Sequence, residues 1–226
     1  MRIHSRPAGL YAGILSAVLL LAFAPRGSRT LGYLCESAGL VAVGTIEKPV
    51  PAAPGGVAWA FAPERVLKGK APGPRLIVWI PSFEPAPPFA AGEQVVLFLS
   101  PVPDQPVFRS MEAVGKGLWR IEGGRAGVAP LALLPALRAL IAGLSGGDRD
   151  ARLAALLAQA GDRNPRVRED AAADLARLCP AGCALDAQAR ARVMKLAREA
   201  PPGSAYRKSL LRAVGNNPRG LSGEGP

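Results

Sequence analysis

The run QVVLFLS (residues 94–100) decides how this chain folds. Side chains on a strand alternate between two faces, so a strand with one wet face alternates apolar and polar residues. Val95 to Leu99 are apolar without interruption, so something must cover this strand from each side. Outward from it, LVAVGTIE (40–47), VAWAFAPERVL (57–67), RLIVWI (75–80), VFRSM (107–111) and GLWRI (117–121) are short segments with strand character. Pro/Gly clusters such as KPVPAAPGG and PSFEPAPPFAAG divide them. Short strands at this spacing predict a small antiparallel sandwich or barrel.

The turn between the second and third strands, LKGKAPGP, carries a Gly-Lys pair that invites comparison with a phosphate-binding loop. That loop needs G-x-x-x-x-G-K-[ST] leading into a helix. Here Glu64 stands where the first glycine is required, Ala71 replaces the hydroxyl residue, and Pro72 and Pro74 prevent a helix. The segment reads as a hairpin turn whose Lys68 and Lys70 keep its tip in water.

After about Pro130 the period becomes helical. The segments 131–144, 148–161, 164–179, 186–200 and 204–214 read as helices. Asn164, Asp186 and Ser204 are placed as N-caps, and Pro165 suits the first helical position. Val167, Ala171, Leu175 and Leu178 form one apolar stripe, and Tyr206, Leu210 and Val214 are expected to face inward. The fold class is α+β. A barrel over 34–128 precedes a helical domain over 131–215, with residues 216–226 as a flexible tail.

The amino terminus has Arg2 and Arg6 and then no charge from Pro7 to Ala24. This is the plan of a signal peptide over 1–24, or of a signal anchor in which residues 7–24 tether the chain to the membrane. Ala22 and Ala24 supply the small residues expected before a cleavage point, and cleavage is the expected outcome; Pro25 directly after the cut keeps the uncleaved anchor as the alternative. Either form exports the remainder to the periplasm or beyond. His4, the sole histidine, lies in this segment, so the exported chain has none for a Ser-His-Asp or Cys-His centre or for a histidine metal site.

The formal net charge is +11, from 28 basic and 17 acidic residues. Such a balance attracts acidic partners. Only six of the cations are lysine in a chain rich in Ala, Arg, Gly and Pro, a bias that also gives ordinary solvated basic surfaces. Residues 131–226 hold 15 basic and 9 acidic side chains against 11 and 8 in residues 25–130, so the helices are the better place for an acidic partner.

Four pieces of the first half, ESAGLVAVGTIE (36–47), PERVLKGKAPG (63–73), FAAGEQVVLFL (89–99) and VGKGLWRIEGG (114–124), agree in order and spacing with a family of bacterial exported barrels. From Leu34 to Gly127 the chain resembles the OB-like barrel of the tissue inhibitors of metalloproteinases and netrin modules. The resemblance implies a closed barrel of five or six strands in an envelope protein. Metalloprotease inhibition in the animal family uses a cysteine at the mature amino terminus, and Cys35 in LGYLCES follows no recognisable processing site. NPRVREDAAADLARL (164–178) is similar to a HEAT-type repeat, with Arg168 and Asp170 near the motif's usual polar positions. It implies stacked helix pairs that present a binding surface.

Cys179 and Cys183 frame CPAGC between two helices and read as a local disulfide in an exported chain, with Cys35 left as a buried thiol or a link to another chain. Trp59, Trp79 and Trp119 lie among apolar neighbours and read as core or covering residues. Glu64, Glu93 and Glu122 have no spacing that pairs them as acid and base. These readings predict a non-catalytic scaffold or interaction module of the cell envelope, with no cofactor, no metal and no specific nucleic acid. The expected binding residues are Arg166, Arg168, Arg190, Arg192 and Arg198, meeting an acidic envelope protein. An envelope enzyme inhibitor and an oligosaccharide-binding barrel are the alternatives.

Overall fold

The computed structural model describes residues 29–50, 55–84, 87–103, 118–179 and 185–215. The apolar amino-terminal segment, the expected strand 107–111, Cys183 and the tail lie outside them. Among the described residues, no helix is long and apolar enough to cross a membrane.

A short helix, α1 (Leu31–Ser37), leads into β1 (Leu40–Val50), β2 (Gly56–Lys68), β3 (Leu76–Pro81), β4 (Gln94–Pro101), β5 (Leu118–Ile121) and the two-residue β6 (Val128–Ala129). The pairings run β1–β2–β3–β5–β4, and β4 pairs again with β1, so five strands close into a ring with β6 added beside β4. All pairs are antiparallel except β3–β5, which is parallel. The sheet is thus mostly antiparallel, with one parallel pair. Because β4 lies beside β1, the place left for β5 is between β3 and β4, and there it runs with β3.

The uninterrupted apolar run of β4 is covered on both sides. Val95, Leu97 and Leu99 join Leu40, Ile46, Phe61, Leu76 and Val78 in one cluster among the strands, whereas Val96 and Phe98 join the core formed with the helices. β1 divides in the same way, with Leu40 and Ala42 on one side and Val41 and Val43 on the other. Register shifts in β1–β2 after Val41, Val43 and Ile46 bend these long strands. A Cβ at Gly44 would stand 2.1 Å from the Ala62 carbonyl oxygen, so at this bulge only glycine admits the close approach of β2.

Five helices follow: α2 (Leu134–Ser145), α3 (Arg149–Gln159), α4 (Pro165–Leu178), α5 (Ala187–Glu199) and α6 (Ala205–Ala213). α2 starts later than its sequence period because Pro135 fits only a first helical turn, and Leu131–Leu133 form a 3-10 turn before it. The expected caps are present. Asn164 Oδ1 accepts from the amides of Arg166 and Val167, Asp186 Oδ1 from Ala189 at 2.6 Å, and Ser204 Oγ from Arg207 at 3.1 Å. Each such cap contributes about 1 kcal/mol. α2 packs on α3, α3 on α4, α4 on α6 and α6 on α5, while α1 touches both α2 and α4. A single buried cluster runs from Leu31 and Leu34 of α1 through Val41 and Phe98 of the ring to Leu175 and Leu210 of the helices.

Candidate functional site

The most heavily fastened element is α1, which sits where ring and helices meet. Thr30 caps it, with Oγ1 accepting from the Tyr33 amide at 3.2 Å and donating to Asp174 Oδ1 at 2.7 Å. The Leu31 amide donates to Asp170 Oδ2 at 3.1 Å. Two carboxylates one turn apart on α4 therefore face the amino end of α1, where unpaired amides and the helix dipole favour negative charge. The carboxyl end is held by the opposite charge. Lys68 Nζ donates to the carbonyls of Cys35, Glu36 and Ala38 at 2.7, 2.8 and 2.8 Å, using all three ammonium protons. Lys68 thus anchors a helix rather than only solvating a hairpin tip, while the turn beside it is a hairpin connection as expected.

Salt bridges fix both flanks. Arg29 pairs with Glu122, a carboxylate only 6% exposed that also accepts from Ser100 Oγ at 2.9 Å. Glu36 of α1 lies between Arg152 of α3 and Arg177 of α4. Arg177 reaches Asp174 Oδ1 as well, at 3.2 Å. Asp174 is 2% exposed, and its Oδ2 has no hydrogen-bond partner. A Cβ at Gly32 would stand 2.2 Å from that oxygen, which leaves no room for any side chain there. Burial raises the pKa of Asp174 and Asp170 above the ordinary carboxylate value, opposed for Asp174 by Thr30 and Arg177 and for Asp170 by the Leu31 amide and Arg166. Burial also pushes the Cys35 thiol up to about 12, so at neutral pH it is an inert thiol, not a nucleophile.

A cleft of about 340 Å³ opens beside this junction. Its walls are the carboxyl end of α1, Lys68, the carboxyl end of α2, the turn through Gly147 and the first turn of α3. Ile141, Leu144 and Leu178 form the apolar part, and Arg149 and Arg152 the basic part.

The five arginines expected to form one surface fall into two groups. Arg166 and Arg168 of α4 are half-buried and turned inward. Arg166 Nη2 donates to the Ala126 carbonyl at 2.7 Å and Nη1 reaches that of Val128 at 3.5 Å, fastening α4 to the chain around β6. The Arg168 guanidinium lies over the Tyr206 ring, 5.7 Å from its centroid. Arg190, Arg192 and Arg198 of α5 are exposed. Cys179 is buried, but its expected bridge to Cys183 lies outside the described residues. Trp59 and Trp119 pack against the cluster among the strands and Trp79 against a smaller one around Ala58, as core or covering residues would. The three glutamates serve separate local bonds: Glu64 to Thr45, Glu93 to the Ala90 amide, and Glu122 to Arg29 and Ser100. Among the described residues, no three His, Cys, Asp or Glu side chains converge where they could hold a metal.

No protein-family model matches this chain, and no curated protein matches it either. Lys68, Glu36, Arg152, Asp174 and Arg177 are brought to this junction by the fold and lie outside the expected binding residues. One signal for them was available. On a helical wheel Asp174 falls beside Val167 and Leu178, an acid on the apolar face of α4.

Proposed function

We propose that this chain is a non-catalytic, exported interaction module of the bacterial envelope, in which an OB-like barrel carries a HEAT-like helical region that meets an acidic partner protein. The observation that carries this reading is the outer face of α5 and α6. Arg190, Arg192, Lys195, Arg198, Lys208 and Arg212 are exposed there, and Glu199 is the one acidic residue between Ala187 and Ala213. Closely spaced exposed cations raise the local potential and speed encounter with an acidic surface.

The OB-like reading is supported by the closing β1–β4 pairing and the parallel placement of β3 against β5. The HEAT-like reading draws on the Asn164-Pro165 opening of α4 and on the successive packing of α2, α3 and α4. Export and membrane tethering rest on the uncharged segment from Pro7 to Ala24. No cofactor enters this reading.

The test is retention of envelope proteins on the immobilised full-length chain, compared with a variant carrying Arg192→Glu, Arg198→Glu and Arg212→Glu. A specific partner should be held by the native chain, released as ionic strength rises and screening shortens to roughly 8 Å, and lost from the variant. Equal retention by both would refute the basic-face reading.

A further inference from the structure

We propose that the cleft between α1, α2 and α3 binds the carboxyl terminus of a peptide whose last residue is aliphatic. This site is separate from the α5–α6 face and goes beyond the function proposed above. Its volume of about 340 Å³ is in the range of small-ligand sites, which join an apolar wall to a few placed polar groups. The apolar wall here is Ile141, Leu144 and Leu178, and the polar groups are guanidiniums.

Arg149 and Arg152 stand three residues apart on the first turn of α3, so they project from one side of it. A guanidinium takes a carboxylate through two parallel hydrogen bonds, a geometry lysine does not offer. Arg152 is already shared with the chain's own Glu36, whose Oε1 it meets through Nη2 while Arg177 Nη2 meets Oε2, so a carboxylate is the kind of group this wall holds. Lys68 adds positive charge to the same wall, although its three protons are spent on the end of α1. The two acids on the cleft are already engaged. Glu36 is held between its arginines, and Asp148 caps α3 through the Asp150 amide at 2.9 Å.

The carboxyl end of α2 contributes the remaining element. The last turn of a helix presents carbonyls without intrahelical partners, which accept hydrogen bonds from amides. A peptide end offers a matching set: a carboxylate for Arg149 and Arg152, an aliphatic side chain for the apolar wall, and backbone N–H groups for α2. Inorganic anions lack the second and third of these features.

The experiment titrates the full-length chain with N-acetyl-Ala-Leu, its C-terminal amide and acetate, by calorimetry. The free carboxylate peptide should bind, and amidation should weaken it by roughly ten- to a hundredfold, as expected for a lost charge-assisted pair. Arg149→Ala should weaken binding about tenfold while lowering the melting temperature only slightly, because Arg149 is exposed and its bond to the Leu178 carbonyl is long, at 3.4 Å. Ser145→Trp, which places an indole on the cleft lining and leaves both arginines in the sequence, should abolish binding in a chain that still melts cooperatively. Equal binding of acid and amide, acetate binding as tightly as the peptide, or no binding by the folded native chain would each overturn the proposal. Loss of the acidic partner on the α5–α6 face would leave these titrations unchanged, so the two readings fail separately.

Discussion

As sequences, α4 (PRVREDAAADLARL) and α5 (AQARARVMKLARE) are near equivalents: capped, alanine-rich amphipathic helices studded with arginine. In the folded chain their charges do opposite work. On α4, Arg166 fastens to the Ala126 carbonyl, Arg168 stacks on Tyr206, Asp170 and Asp174 hold the start of α1, and Arg177 grips Glu36. On α5, Arg192 and Arg198 are exposed, and Lys195 pairs within its own helix with Glu199 at 4.0 Å. Composition does not distinguish an internal strut from a docking face. The surroundings do: α4 is flanked by α1, α3 and α6, whereas α5 packs mainly on α6.

Substitutions can break or sharpen this contrast. The largest effect is expected where α1 meets α4. Gly32→Ala drives a methyl group into the Asp174 carboxylate and should cost about 3 kcal/mol, read as a lower urea midpoint at unchanged slope. Lys68→Met keeps the packing of the side-chain stem but strips three carbonyls of their donor. A loss of about 2 kcal/mol in the same assay is expected, with the ring retaining its far-ultraviolet circular dichroism.

A smaller loss, about 1.5 kcal/mol, should follow Arg166→Ala, because a guanidinium bond to a partly buried carbonyl disappears. Asp174→Asn tests the electrostatics of the strut through pH. The folded-state pKa of Asp174 is raised above an unfolded value of about 3.9, so the folded state binds the proton more tightly. The stability this proton contributes is complete below pH ~4 and is lost as pH rises through the higher folded value. Relative to the Asn variant, the native chain should therefore gain stability from neutral pH down to about 4; a pH-independent difference between them would refute the assignment. The smallest effect belongs to α5, where Arg192→Ala should change stability by less than about 0.5 kcal/mol. A cost there as large as that of Arg166→Ala would erase the distinction between the two helices.

What was legible in the sequence was what depends on neighbours along the chain. Alternation and turn residues placed β1, β2, β3 and β4 within a few residues of their observed limits, and side-chain caps placed the starts of α4, α5 and α6. The double cover of Val95–Leu99 followed from the pleat alone. What was not legible depends on distant pieces of chain. LGYLCES is too short to display a helical period, and its helix persists because Asp170, Asp174 and Lys68 hold both ends. Lys68 looked like a turn residue because its three acceptors lie about thirty positions earlier in the chain. The arginines of α4 and α5 could not be sorted, since solvated and pairing guanidiniums obey the same helical spacing.

The fastening of α1 also dictates when this molecule can finish folding. Thr30 and Asp174 are 144 positions apart, and Arg29 waits 93 positions for Glu122. Contacts of such separation must overcome the entropy of closing long loops and form late. The first residues of α1 to leave a ribosome or a translocation channel thus remain without their carboxylate partners until α4 has followed them. Any fragment that stops short of Pro165 would lack that closing step and leave the α4 side of α1 uncovered, which should make truncated chains ready substrates for proteolysis.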